Sequence, residues 1–87
     1  MEFIHAREWL NDKQCVRVTS DTQCNVKLMD DMNFAAYQRG QSHHYRGGFF
    51  TRFPAVLVPP HAGNWNVTLD VAGARANIRY SINVIGN

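Results

Sequence analysis

Apolar and polar residues alternate along much of this chain with a period of two, the pattern of strands that bury one face. The longest run lies near the C-terminus. Trp65, Val67, Leu69 and Val71 alternate with Asn64, Asn66, Thr68 and Asp70. Beyond Gly73-Ala74, Ala76, Ile78, Tyr80, Ile82 and Val84 alternate with Asn77, Arg79, Ser81 and Asn83. A two-residue turn at Gly73-Ala74 predicts a hairpin pairing Val71 with Ala76, Leu69 with Ile78, Val67 with Tyr80 and Trp65 with Ile82. It also predicts an amide-rich outer face of Asn64, Asn66, Thr68, Asn77, Ser81 and Asn83, with Asp70 near Arg79.

A second candidate hairpin spans residues 15–30. Val16, Val18 and Ser20 face Leu28, Val26 and Cys24 across Asp21-Thr22-Gln23, although sandwiches often send consecutive strands to different sheets. Residues 3–10 fit neither the helical nor the strand period cleanly, and are read as a strand because the chain around them is β. Ala55-Val56-Leu57-Val58 reads as a short buried strand closed by Pro59-Pro60, and Gly47-Gly48 as a turn. One stretch fits a helix: Asp31 is placed to cap it, Phe34 and Tyr37 share a side at a spacing of three, and Gly40 is placed to end it. The expected fold is therefore all-β, a small antiparallel β-sandwich or barrel-like domain over residues 1–87 with one short helical insertion near residues 31–39.

Composition narrows the classes of function. Eighty-seven residues suffice for one domain, and a chain of this size buries only roughly 60–65% of its unfolded surface, so a partner surface would add materially to its stability. An apolar fraction of 45% excludes a disordered chain. The net charge of +2 is spread among interspersed acids, which argues against a nucleic-acid partner. Glu2, Arg7 and Glu8 interrupt what a secretory leader would need, and no window approaches the ~20 apolar residues of a membrane span. A cytoplasmic protein with no membrane partner is expected.

No catalytic constellation is visible. In the register above Cys24 faces the core and Cys15 faces outward, so two free thiols are expected. The chain has no H-x-H, H-E-x-x-H or paired Cys-x-x-Cys spacing, and the adjacent His43 and His44 point to opposite faces in extended chain; no metal site or cofactor is assigned. Asp30-Asp31 fits the start of a helix, where the dipole favours acid. Gly47-Gly48 lacks the Lys-Ser/Thr or helix start of a phosphate loop. A candidate binding site remains on the loop side, drawn from Arg39, His43, His44, Tyr45, His61 and Trp65. There Tyr45 and Trp65 offer flat apolar contact, and Arg39 and the histidines offer charge-assisted hydrogen bonds.

One series of motifs spans nearly the whole chain. Asn25-Val26-Lys27-Leu28-Met29-Asp30 is followed by Asn33-Phe34, Tyr37 and Gly40, by His43-His44-Tyr45 with Gly47-Gly48, and by Pro60-His61-Ala62-Gly63-Asn64-Trp65 with Asp70. Together they resemble a small bacterial family, domain of unknown function 1883. The resemblance implies a module found alone at about this length or attached to a Toll/interleukin-1-receptor-like signalling domain, which favours binding over catalysis. Two positions depart from the family pattern: Asp12-Lys13-Gln14 stands where relatives often carry Gly-Asp, and Asn64 stands where they often carry histidine. The second departure weakens a metal or general-base role. The leading expectation is a non-catalytic interaction or sensor module for a protein or small-molecule ligand. A histidine-based metal protein or small enzyme, and a structural homo-oligomerisation domain, are the alternatives.

Overall fold

The computed structural model describes residues 3–71 and 78–86. Seven strands and one helix follow in the order β1 (Ile4–Leu10), β2 (Gln14–Ser20), β3 (Cys24–Met29), α1 (Asp31–Gln38), β4 (Arg46–Phe50), β5 (Ala55–Leu57), β6 (Gly63–Asp70) and β7 (Tyr80–Gly86). They form two antiparallel sheets, one ordered β1-β6-β3-β4 and the other β5-β2-β7. The inward residues meet in one core: Leu10, Val16, Val18, Cys24, Val26, Leu28, Ala55, Leu57, Trp65, Val67 and Leu69 are all buried together. The chain is a small all-β domain with one helix, as its alternation predicts.

Strand partners differ from the predicted hairpins. β6 does not pair with β7: it runs between β1, with Ala6 opposite Val67, and β3, with Leu28 opposite Val67. Both of its edges are therefore occupied. β7 instead joins β2 in the other sheet, with Ile82 opposite Val18 and Val84 opposite Val16. The predicted turn at Gly73-Ala74 lies outside the described residues. β2 and β3 likewise enter different sheets, yet their inward sets Val16, Val18, Cys24, Val26 and Leu28 are buried as expected. Alternation specifies which face a residue takes, and two strands facing each other across a core satisfy it as well as two strands side by side.

The same topology dissolves the predicted amide-rich face. Asn66 and Thr68 are fully buried, because β6 is covered on its second face by α1. Ser81 and Asn83 belong to the opposite sheet, and Asn77 lies outside the described residues. Arg79 is joined to Asp21 rather than Asp70, its backbone N–H donating to Asp21 Oδ1 at 3.1 Å.

Helix α1 forms where its ends are chemically satisfied. Asp30, not Asp31, is the cap: its Oδ1 accepts the Asn33 backbone N–H at 2.8 Å. At the other end Gly40 adopts φ 72°. The Gln41 N–H reaches the Ala36 carbonyl at 2.9 Å and the Gly40 N–H the Tyr37 carbonyl at 3.0 Å, the paired bonds of a Schellman stop. Tyr37 is buried and Phe34 packs beside it.

Gly47-Gly48 is not a turn but part of β4, opposite Lys27 and Val26. Gly47 has φ 114°, and a Cβ there would collide with the Val26 carbonyl oxygen. The glycine is required by the close approach of two strands.

Candidate functional site

A polar network fastens α1 to the sheet. Asn66 Nδ2 donates to Asp31 Oδ1 at 2.8 Å and to the Met29 carbonyl at 3.3 Å. With both amide hydrogens committed, Asn66 Oδ1 accepts from His5 Nε2 at 2.8 Å, which places the His5 proton on Nε2. The Arg7 guanidinium grips Asp31 through two bonds, Nε to Oδ1 at 3.0 Å and Nη2 to Oδ2 at 2.7 Å. These bonds, Arg7 first and Asn66 second, hold the Asp31 carboxyl at about 2, well below its ordinary range. His5 also stacks on Phe34, with ring centroids 4.1 Å apart and planes 12° from parallel. The start of α1 is thereby locked in place, and with it the cap residue Asp30 and Asn33.

Asp30 and Asn33 form one rim of a cleft of about 390 Å³ at the end of the sandwich. Leu28, Met29 and Trp65 wall it, His44, Tyr45 and Arg46 lead along one side into β4, and Pro60 and His61 close it from the β5–β6 loop. The rims are joined by directed bonds. Asn33 Nδ2 donates to Asp30 Oδ1 at 2.9 Å, and Asn33 Oδ1 accepts the His44 backbone N–H at 2.8 Å. On the other side Trp65 Nε1–H donates to the His61 carbonyl at 3.1 Å, and the two rings lie 5.1 Å apart. His61 Nδ1 sits 2.9 Å from the Ala62 carbonyl, so Nδ1 donates and Nε2 is left to the cleft.

Four of the six candidate residues, His44, Tyr45, His61 and Trp65, therefore line one cleft. Arg39 does not: it is the C-cap of α1, and its Nε donates to Gln41 Oε1 at 3.2 Å. His43 also points elsewhere, as the opposite-face reading of the His43-His44 pair expects. Its Nδ1 lies 2.9 Å from the Gln41 carbonyl and its Nε2 lies 3.2 Å from Lys27 Nζ. A carbonyl only accepts, so Nδ1 carries the proton and Nε2 accepts from the Lys27 ammonium. Lys27 Nζ also lies 4.3 Å from the Tyr45 ring centroid and 5.1 Å from that of Tyr37, which makes His43 part of an aromatic enclosure for this lysine.

Asp30, Asn33 and Arg46 escaped the sequence reading as site residues. For Arg46 a signal existed. Arg46 opens β4 two positions after His44, a spacing that puts both on one face wherever the chain is extended. Asp30 and Asn33 were legible only as the start of a helix, which they also are.

Among the described residues, no three His, Cys, Asp or Glu side chains gather closely enough to hold a metal ion. Nor is any helix among them long and apolar enough to cross a membrane.

The fold and the cleft define a class: a small two-sheet β domain whose one helix helps to build a polar, partly aromatic cleft. The chain belongs to the family described as Domain of unknown function (DUF1883), which matches it over residues 1–87. No curated protein and no solved structure matches it.

Proposed function

We propose that this domain is a non-catalytic interaction module that recognises a small ligand, or a short segment of a partner, in the cleft beside α1. The observation that carries this reading is the convergence of His44, Tyr45, His61 and Trp65, from separate stretches of chain, on one concavity of about 390 Å³. Binding sites are typically clefts of this kind, with apolar walls and a few oriented polar groups. Tyr45 is 45% exposed and offers its ring to a ligand. Trp65 is buried and supports the loop that carries His61. The test is partner capture in cells by the wild-type domain and by the double variant Tyr45→Ala, His61→Ala. Loss of capture supports the reading, and undiminished capture by a folded variant overturns it.

A second reading, self-association, is favoured by β7. Among the described residues this strand pairs only with β2, carries no charge from Tyr80–Gly86, and exposes Tyr80, Val84 and Ile85. Uncharged edge strands are open to further pairing. Sedimentation at high concentration tests it, since a strict monomer removes it.

A further inference from the structure

The hydrogen-bonding groups of the cleft are unequally committed. Asp30 Oδ1 already accepts two bonds from Asn33, and the side-chain oxygen and nitrogen of Asn33 are both occupied. The Trp65 N–H is spent on the His61 carbonyl and His61 Nδ1 on the Ala62 carbonyl. The Arg46 guanidinium and the His44 ring, in contrast, make no hydrogen bond or ion pair among the described residues, where the one ion pair is Arg7–Asp31. The unspent donors of the cleft are the five N–H groups of Arg46 and the N–H of the His44 imidazole. Lys27 adds a further positive charge behind the Tyr45 ring.

A ligand rich in acceptors and negative charge matches what is left. Resting on the cleft reading above, we infer that the ligand carries a phosphate group. Arg46 holds it in a forked, charge-assisted contact, and His44 bonds a remaining oxygen. The two N–H groups of the Arg46 fork and the His44 imidazole reach three terminal oxygens, one more than a carboxylate presents. The exposed Tyr45 ring lies against the organic portion. Asp30, the one acid lining the cleft, has Oδ2 available for a hydroxyl or amine on that portion.

The experiment is a titration of the full chain, followed by amide and imidazole NMR signals, with phenyl phosphate, inorganic phosphate and phenol as probes. Phenyl phosphate is expected to shift the His44 and His61 signals and to bind at least about tenfold more tightly than phenol. Arg46→Gln is expected to weaken phenyl phosphate binding by about tenfold or more, and Arg46→Lys by less, because the charge survives and the fork does not. Arg39→Gln removes the same charge outside the cleft and is expected to leave binding unchanged. Equal weakening by Arg39→Gln and Arg46→Gln overturns the proposal in favour of general charge attraction. Phenol binding the cleft as tightly as phenyl phosphate overturns the phosphate assignment while leaving a ligand-binding cleft intact. No cleft response to phenyl phosphate at millimolar concentration also overturns the assignment, and the capture experiment with Tyr45→Ala, His61→Ala then decides the underlying reading separately.

Discussion

Asn66 and Asp31 meet at 2.8 Å across the boundary between the central strand and the helix, the amide donating to a carboxylate that Arg7 also holds. This contact ties strand β6 to the residue that follows the helix cap, so the rim of the cleft is set by a part-buried bond beneath it. Replacing Asn66 with Ala is expected to destabilise the fold by about 2–3 kcal/mol, because a fully buried amide leaves three partners unanswered. Urea denaturation measures this, and a loss below about 0.5 kcal/mol would contradict the role assigned to the network.

Asp31 also sets an acid dependence. Its carboxyl is held at about 2 when folded, against an ordinary 3.8, so between these values the unfolded chain binds the extra proton. The contribution is fully present above about pH 4 and is lost as pH falls towards 2. Asp31→Asn is expected to flatten the stability profile over that window. The Arg7–Asp31 pair is half-exposed, so the slope should shrink in high salt. Thermal melts at pH 2 to 5 with and without salt provide the comparison.

Gly47 and Gly48 should respond differently to alanine. At Gly47 a Cβ strikes the Val26 carbonyl, and at Gly48 it meets nothing within 4 Å. Gly47→Ala is expected to cost about 3 kcal/mol or to displace β4, and Gly48→Ala about 1 kcal/mol from its backbone angle alone. Equal losses in chemical denaturation would show that contact with Val26 is not the deciding factor.

The Tyr37 and Thr68 hydroxyls are buried between α1 and the sheet without a satisfied hydrogen bond. Burial, reinforced by the charge of Asp70, pushes the Tyr37 phenol upward, with a smaller opposing effect from the neighbouring Thr68 hydroxyl. Removing an unsatisfied buried group relieves its desolvation cost, so Thr68→Val and Tyr37→Phe are expected to be neutral or to stabilise by up to about 1 kcal/mol. A clear loss of stability in either variant would reveal a hydrogen bond between them.

The two cysteines should label at different rates. Cys24 lies in the core, where burial first of all raises its thiol, whereas Cys15 is half-buried on the other sheet. A thiol reagent applied to the native protein should modify Cys15 first and reach Cys24 only on unfolding. Simultaneous labelling in mass spectra of the native protein would contradict that placement.

Much of this architecture could be read from alternation, and the exceptions share one cause. Val16, Val18, Val26, Leu28, Val67 and Leu69 all take the predicted face, since period two assigns faces directly. Partners were not legible, because the same face assignment serves β6 beside β7 or across from it. Asn66 and Thr68 look like outward polar residues in any local window. Only the helix that lies over them, supplied by residues 31–38, makes them interior. In the cleft, the aromatic and imidazole residues stood out by type. Arg46 did not, since a single arginine in a scattered set gains meaning only from the wall it lines.

The place of β6 between β1 and β3 also governs how the chain comes to be folded. His5 finds Asn66 across a separation of 61 positions, so among the described residues the first strand has no sheet partner until residues 63–70 have left the ribosome. Until then β1 and β3 each present an open backbone edge, and closing the sheet requires long loops to be drawn together first. Such non-local pairing places the domain among β proteins that fold in milliseconds to seconds rather than microseconds. Nascent chains truncated before residue 63 are accordingly the species most exposed to aggregation.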